Sequence, residues 1–284
     1  MRNVKVFFVV SLFFLFTSCA TRGDENIIPI GGSTTATSVM DEIILGYKKI
    51  NDQLKVTYDA QGSGVGIKGL FDGIYKIAIS SRDATEEEVA GGAKVTVIAH
   101  DALIFITSPD VKITNIAESD LARILNGNIE NWKQVGGPDA RINFINRDSS
   151  SGSYSSVRKL VLEKVLKDPE EAQFRQDGIV VKSNGEVIEK ASLTPHSIGY
   201  ISFGYARNSM EKGLNTLSIN TTYPTKETIV QNKYNIKRSL IAVTTSISGN
   251  KNTINFIEFI LGPDGQDIIE EQGFIGVADS TDNS

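Results

Sequence analysis

Three clusters of glycine and small hydroxyl residues punctuate this chain: Gly32-Ser33-Thr34-Thr35, Gly62-Ser63-Gly64 and Ser151-Gly152-Ser153. Each follows a short strand-like run and precedes a stretch with apolar residues at helical spacing, so each sits where a strand hands over to a helix. A helix start leaves backbone N–H groups unpaired and carries about half a unit of positive charge. Small residues let an anion approach that backbone, and their hydroxyls add donors. Arg147, four residues before Ser151, supplies a full charge and a planar donor fork suited to a tetrahedral oxyanion. Three such helix starts and one guanidinium carry about +2.5 together, enough to balance a dianion such as phosphate. Taken singly, the clusters are ordinary caps and turns. It is their recurrence, with Arg147-Asp148 beside one of them, that points to a ligand. None ends in Gly-Lys-Ser/Thr, so none is a P-loop.

Other chemistries find little support. The two histidines, His100 and His196, stand in no His-Glu-x-x-His spacing and near no cysteine, which argues against a metal site or any bound cofactor. Gly62-Ser63-Gly64-Val65-Gly66 does not fall on the strand–turn–helix plan of a hydrolase nucleophile elbow, and Ser33 and Ser151 lack the flanking glycines. A binding protein is expected, not an enzyme. Trp132 reads as a packing residue and Glu86-Glu87-Glu88 as a solvated first helical turn. A net charge of −5 excludes a nucleic-acid partner held by a general positive field.

The elements that must position these residues follow from the periodicity. Across 284 residues, 40% hydrophobic and 22% charged, short apolar strands alternate with helices, which predicts an α/β architecture. Strands are expected at Asn26–Ile30, Leu54–Tyr58, Lys76–Ile79, within Val95–Thr107, and at Arg141–Asn146, Ile198–Phe203 and Ser239–Thr244. Helices are expected over Val39–Ile50, Ile67–Ile74, Glu118–Leu125, Tyr154–Leu166, Ile254–Ile260 and Gly265–Gln272, with Thr85 and Glu88 forming a capping box. No single Pro/Gly-rich linker splits the chain, which fits two lobes joined by more than one crossing. Leu103–Thr107 and Ala242–Thr245 are the expected hinges.

The N-terminus is of different material. Arg2 and Lys5 precede an apolar run from Val6 to Phe16, broken only by Ser11. Its length falls short of the about 20 residues that span a bilayer, so residues 1–18 read as a signal peptide. Thr17-Ser18-Cys19 resembles a relaxed lipobox, with Phe16 in the usual leucine position. Cys19, the only cysteine, would be lipidated and anchor the exported protein to the membrane through the tether 19–26. Removing residues 1–18 takes away two basic residues and no acidic one, shifting the net charge from −5 to −7.

Beyond these readings, the chain resembles a known family. Gly32-Ser33-Thr34-Thr35, Gly62-Ser63-Gly64-Val65-Gly66-Ile67-Lys68, Ile79-Ser80-Ser81-Arg82, Ile124-Leu125-Asn126-Gly127, Asn131-Trp132 and Arg147-Asp148-Ser149-Ser150-Ser151-Gly152-Ser153 are similar to motifs of the phosphate-binding proteins of bacterial phosphate-specific ABC transporters. So are Ser183-Asn184-Gly185 and Ile198-Gly199-Tyr200, and the order holds from about Ile28 to Gly276. The resemblance implies a two-lobed periplasmic-binding-protein fold of type II, each lobe a mixed sheet flanked by helices. Residues 27–104 with 243–284 would form lobe 1, and 105–242 lobe 2. It implies a monomer that closes on inorganic phosphate and delivers it to the permease subunits of the membrane transporter.

By position, Ser33, Thr34, Thr35, Ser63 and Ser81 would donate from lobe 1, and Arg147, Ser151, Gly152 and Ser153 from lobe 2. Asp148 would orient Arg147 or accept a ligand proton, and Arg82 would add charge. Three positions depart from the family pattern. Ser81 stands where the longer branch has an aspartate that accepts the proton of hydrogen phosphate. Lys76 stands where many relatives have aspartate, and Ser153 replaces threonine. Without the aspartate, selectivity against sulfate would fall to Asp148 or Asp59. Another oxyanion such as sulfate or molybdate, or a surface lipoprotein used in adhesion or signalling, are the alternatives.

Overall fold

The computed structural model describes residues 26–279. The segment expected to be a signal peptide, Cys19 and the expected tether up to Glu25 lie outside the described residues. The first part of the chain alternates strands and helices: β1 (Ile27–Gly32), α1 (Thr37–Ile50), β2 (Lys55–Asp59), α2 (Ser63–Phe71), β3 (Ile77–Ser80) and α3 (Glu86–Ala90). A long strand, β4 (Lys94–Thr107), leads into β5 (Asn115–Ile116), α4 (Glu118–Leu125), β6 (Asn143–Arg147), α5 (Gly152–Val157), α6 (Lys164–Leu166), β7 (Ile179–Val181), α7 (Asn184–Leu193) and β8 (Ser197–Ser202). Then come α8 (Ala206–Glu211), β9 (Asn215–Thr216), β10 (Ser218–Ile219), α9 (Lys226–Val230), β11 (Lys237–Thr244), α10 (Lys251–Leu261) and α11 (Pro263–Glu271).

One mixed sheet runs through the molecule in the order β2-β1-β3-β11-β4-β8-β6-β7, with β9 added to β4. The strands β2, β1 and β3 are parallel, as are β7, β6 and β8, and β11 and β4 join the two sets in antiparallel fashion. The fold is thus α/β with a mixed sheet flanked by helices, as expected.

The buried apolar side chains among the described residues form four clusters, and the two largest mark two lobes. Ile28, Ile30, Met40, Ile43, Tyr47, Ile77, Ile79, Phe256 and Ile260 pack in the first. Leu103, Phe105, Leu121, Trp132, Phe144, Val161, Tyr200 and Tyr234 pack in the second. Each parallel set exposes its C-terminal strand ends toward the seam between lobes, where open α/β sheets place their ligands.

Val95–Thr107 reads from its pattern as two strand-like stretches; both lie in one unbroken strand that changes partners. β4 pairs with β11 up to Ala102 and with β8 from Leu103 onward. The returning crossing falls before Lys237, not at Ala242–Thr245, because all of β11 pairs with lobe 1 strands. Tyr154–Leu166 is helical but includes a π segment at Arg158–Glu163. Thr85 and Glu88 form the capping box.

Candidate functional site

The lobe 1 half of the site is built by close backbone contacts. Gly32 holds a φ of 142°, and a Cβ there would lie 2.0 Å from the Ile79 carbonyl oxygen. A Cβ on Gly66 would meet the Gly32 Cα at 2.4 Å, so only glycine lets α2 start against the end of β1. Ser33 follows directly and caps a short 3-10 turn, its hydroxyl accepting from the Thr35 N–H at 3.1 Å. The Ser33 hydroxyl donates to Ser81 Oγ at 2.8 Å, just after β3. Ser63, the first residue of α2, accepts from the Ser81 N–H at 3.1 Å and lies 3.3 Å from Ser81 Oγ. Ser33, Thr35, Ser63 and Ser81 are therefore one buried cluster.

The lobe 2 half comes from the end of β6. Arg147 is its last residue, 1% exposed. Ser151 caps α5, accepting from the N–H groups of Ser153 and Tyr154 at 3.2 and 3.4 Å. The lobes meet here: a Cβ on Gly152 would lie 2.4 Å from Ser63 Oγ and 2.5 Å from Ser81 Oγ. Ser156 Oγ donates to the Ser81 carbonyl at 3.1 Å, and the Gly64 N–H donates to the Ser150 carbonyl at 3.0 Å. Thr35 Oγ1 and Ser153 Oγ stand 3.4 Å apart across the seam. The structure thus brings together Ser33, Thr34, Thr35, Ser63, Ser81, Arg147, Ser151, Gly152 and Ser153.

Arg147 is oriented by oxygens. Its Nη2 donates to Thr34 Oγ1 at 2.8 Å and to the Lys182 carbonyl at 2.7 Å. Its Nε and Nη1 are buried with no protein partner. Burial pulls the guanidinium below the usual arginine range, with Arg238 adding to that effect and Tyr200, Asp148 and Glu186 opposing it. An arginine stays cationic through such shifts. A desolvated cation with two donors unanswered calls for an anion.

Two residues expected to support the site make their bonds elsewhere. Asp148 turns into its own loop, where Oδ1 accepts from the Ser150 N–H at 2.9 Å and from the Ser150 hydroxyl; it does not orient Arg147. Arg82 pairs with both Glu88 carboxylate oxygens, at 2.7 and 2.9 Å, so its charge is already answered. Asp59 is also engaged, accepting from Tyr75 and Gln61 at 2.7 and 2.9 Å.

Lys76 precedes β3 while Ser81 follows it, which puts the lysine about 16 Å from the site. The ring of Trp132 lies in the lobe 2 core and donates to the His196 carbonyl at 2.9 Å. Among the described residues, no group of histidine, cysteine and acidic side chains is placed to hold a metal, and no helix is long and apolar enough to cross a membrane.

Three further residues reach the site. Arg238, on β11, donates from Nη1 to Ser153 Oγ at 2.9 Å and from Nη2 to Thr35 Oγ1 at 3.3 Å. Its Nε and Nη2 hold Asp101 Oδ2 at 3.0 and 2.9 Å. Asn184 donates to Thr35 Oγ1 at 3.3 Å. Arg238 and Asp101 belong to no local motif; the available signal was a charged residue abutting each of the apolar runs Ser239–Thr244 and Ala102–Thr107.

A family model described as a PBP superfamily domain matches residues 20–266. The chain is 67% identical over 273 residues to the phosphate-binding protein PstS of Borreliella burgdorferi, covering 95% of this chain and 98% of that protein. The chain belongs to the PstS phosphate-binding proteins. PstS of Bacillus subtilis is a more distant relative, 26% identical over 92% of this chain and 85% of its own length.

Among solved structures, PstS from Borrelia burgdorferi matches with 70% identity and a TM-score of 0.61, covering 89% of this chain and 99% of that one. A phosphate ABC transporter substrate-binding protein from Clostridium perfringens, solved with bound phosphate, matches with 28% identity and a TM-score of 0.82. That match covers 89% of this chain and all of the other. By TM-score the backbone is thus more similar to the phosphate-bound relative than to the one nearer in sequence.

Proposed function

We propose that the chain is the extracytoplasmic substrate-binding component of a phosphate ABC importer, closing two lobes on inorganic phosphate and handing it to the permease. The observation that carries this reading is Arg147, buried, held from one side by Thr34 and Lys182, with two donors unanswered. Around it stand the hydroxyls of Ser33, Thr35, Ser63, Ser81 and Ser153 and the capped start of α5. Phosphate oxygens satisfy such donors without any metal or cofactor, and no bond is made or broken. The likeness to phosphate-binding relatives supports the same ligand.

Ligand exchange then requires the lobes to part, by rotation at the crossings Ala102–Leu103 and Ile236–Lys237. We also propose that residues 1–18 are removed on export, that Cys19 carries the lipid anchor, and that the receptor acts as a monomer. The supports for anchoring are the short apolar run and the lone cysteine. Loss of membrane association in Cys19→Ala would agree with it, and unchanged association would refute it.

The decisive test is calorimetric titration of the chain without its anchor, from Ala20 onward and freed of carried-over ligand, with phosphate and then with sulfate. Saturable one-to-one phosphate binding is expected; its absence overturns the reading. Ser81 replaces a carboxylate acceptor, and Asp59, Asp101 and Asp148 all make bonds elsewhere. With Asp59 and Asp101 engaged and Asp148 held in its own loop through Oδ1, sulfate is expected to compete measurably.

A further inference from the structure

Arg238 and Asp101 face each other at the point where β4 changes partners, in direct register on β11 and β4. Their side chains are 3% and 1% exposed. An ion pair so buried costs desolvation that its attraction barely repays, so stability alone is a poor reason for it. The bonds it makes suggest another. Asp101 is saturated: Oδ2 takes Arg238, while Oδ1 accepts from Ser202 Oγ at 2.8 Å and the Phe203 N–H at 3.2 Å. The guanidinium is thereby fixed in one plane. Its free edge reaches Ser153 Oγ from lobe 2 and Thr35 Oγ1 from lobe 1.

A hydroxyl oxygen has two lone pairs and one hydrogen. On Thr35 both lone pairs are taken, one by Arg238 and one by Asn184. The Asn184 amide cannot flip without loss, because its oxygen accepts the Ser202 N–H at 3.0 Å. The Thr35 hydrogen must then point away from both donors. Ser153 likewise accepts from Arg238. We propose that Arg238, clamped by Asp101, is a positioning residue that turns the Thr35 and Ser153 O–H bonds onto the anion and engages both only when the lobes are closed. This rests on the phosphate reading above. It makes the hinge strand itself part of the site's specificity: with Asn184, Arg238 leaves the Thr35 hydroxyl able only to donate, and it takes one of the two lone pairs of Ser153, whose other faces Thr35 Oγ1 at 3.4 Å.

The test is a comparison of phosphate affinities in two backgrounds. Asp101→Leu with Arg238→Met removes both charges together, leaving no lone buried ion. In the parent this variant is expected to unfold as cooperatively as before but to bind phosphate about tenfold more weakly or worse. In a Thr35→Val, Ser153→Ala background the same replacement is expected to cost less than about threefold, because the hydroxyls it acts through are gone. Arg238→Lys, which keeps the charge opposite Asp101 but loses the fork, carries the same comparison should the double replacement fail to fold. Equal losses in the two backgrounds, or an unchanged affinity in the first, would overturn the proposal. A parent that binds no phosphate is a separate result, seen before any variant is made, and takes the phosphate reading and this role down together.

Discussion

Arg147 has given up its water at the end of β6, yet the protein answers only one of its terminal nitrogens. Leaving the other donors buried costs about 1–3 kcal/mol each. Arg147→Met is therefore expected to weaken phosphate binding at least about 100-fold and to remove the stabilisation that phosphate gives in thermal unfolding. A variant that phosphate stabilises as it does the parent would contradict the account. Much of this site was legible residue by residue. Ser33, Ser63 and Ser151 announce themselves because small residues cluster where strands end, and Arg147 because it adjoins such a cluster. The turn of Asp148 toward Ser150 was not legible, because sequence adjacency says nothing of which way a side chain points. Arg238 and Asp101 were missed because their pairing is set by strand register between positions 137 apart in the chain.

At the scale of elements, α3 shows how a cap and a charge pair share one carboxylate. Glu88 accepts from the Thr85 N–H and pairs with Arg82. Burial alone would raise its pKa, but these bonds outweigh burial and bring it below the ordinary range. A carboxylate depressed in the folded state stabilises above its unfolded pKa and loses that contribution as pH falls through the folded value. Amide exchange across Glu86–Ala90 is thus expected to quicken as pH drops below the ordinary glutamate range, after correction for intrinsic rates, and Glu88→Gln to abolish the dependence. The box was readable from Thr85 and Glu88 spacing, whereas its tie to Arg82 was not. The continuity of β4 was hidden for a related reason: Val95–Thr107 changes its burial pattern midway because its neighbours change, and a change of pattern reads as a break.

For the molecule as a whole, closure concentrates on Gly152. A methyl group there meets Ser63 and Ser81 only when the lobes are together. Gly152→Ala is expected to leave the unfolding temperature within about 2 °C, as a substitution without buried strain in the open form. It is expected to weaken phosphate binding and to suppress the ligand-induced contraction in small-angle X-ray scattering. Contraction equal to that of the parent would show that the seam tolerates the extra carbon. Two lobes with repeated crossings were legible from the missing linker. Where the second crossing falls was not, since β11 is as apolar at its end as at its start and only its pairing assigns it to lobe 1.

The isolation of Arg147 inside an acidic molecule has a kinetic side. The chain's field is that of a net −5, or −7 after loss of residues 1–18, while its receiving cation is almost wholly shielded from solvent. An arriving dianion is thus repelled by the surface at long range and attracted only at contact. Added inert salt, whose screening length is about 10 Å at 0.1 M, weakens the repulsion and hardly touches the enclosed donors. Stopped-flow mixing should therefore record phosphate association that accelerates with ionic strength and dissociation that does not.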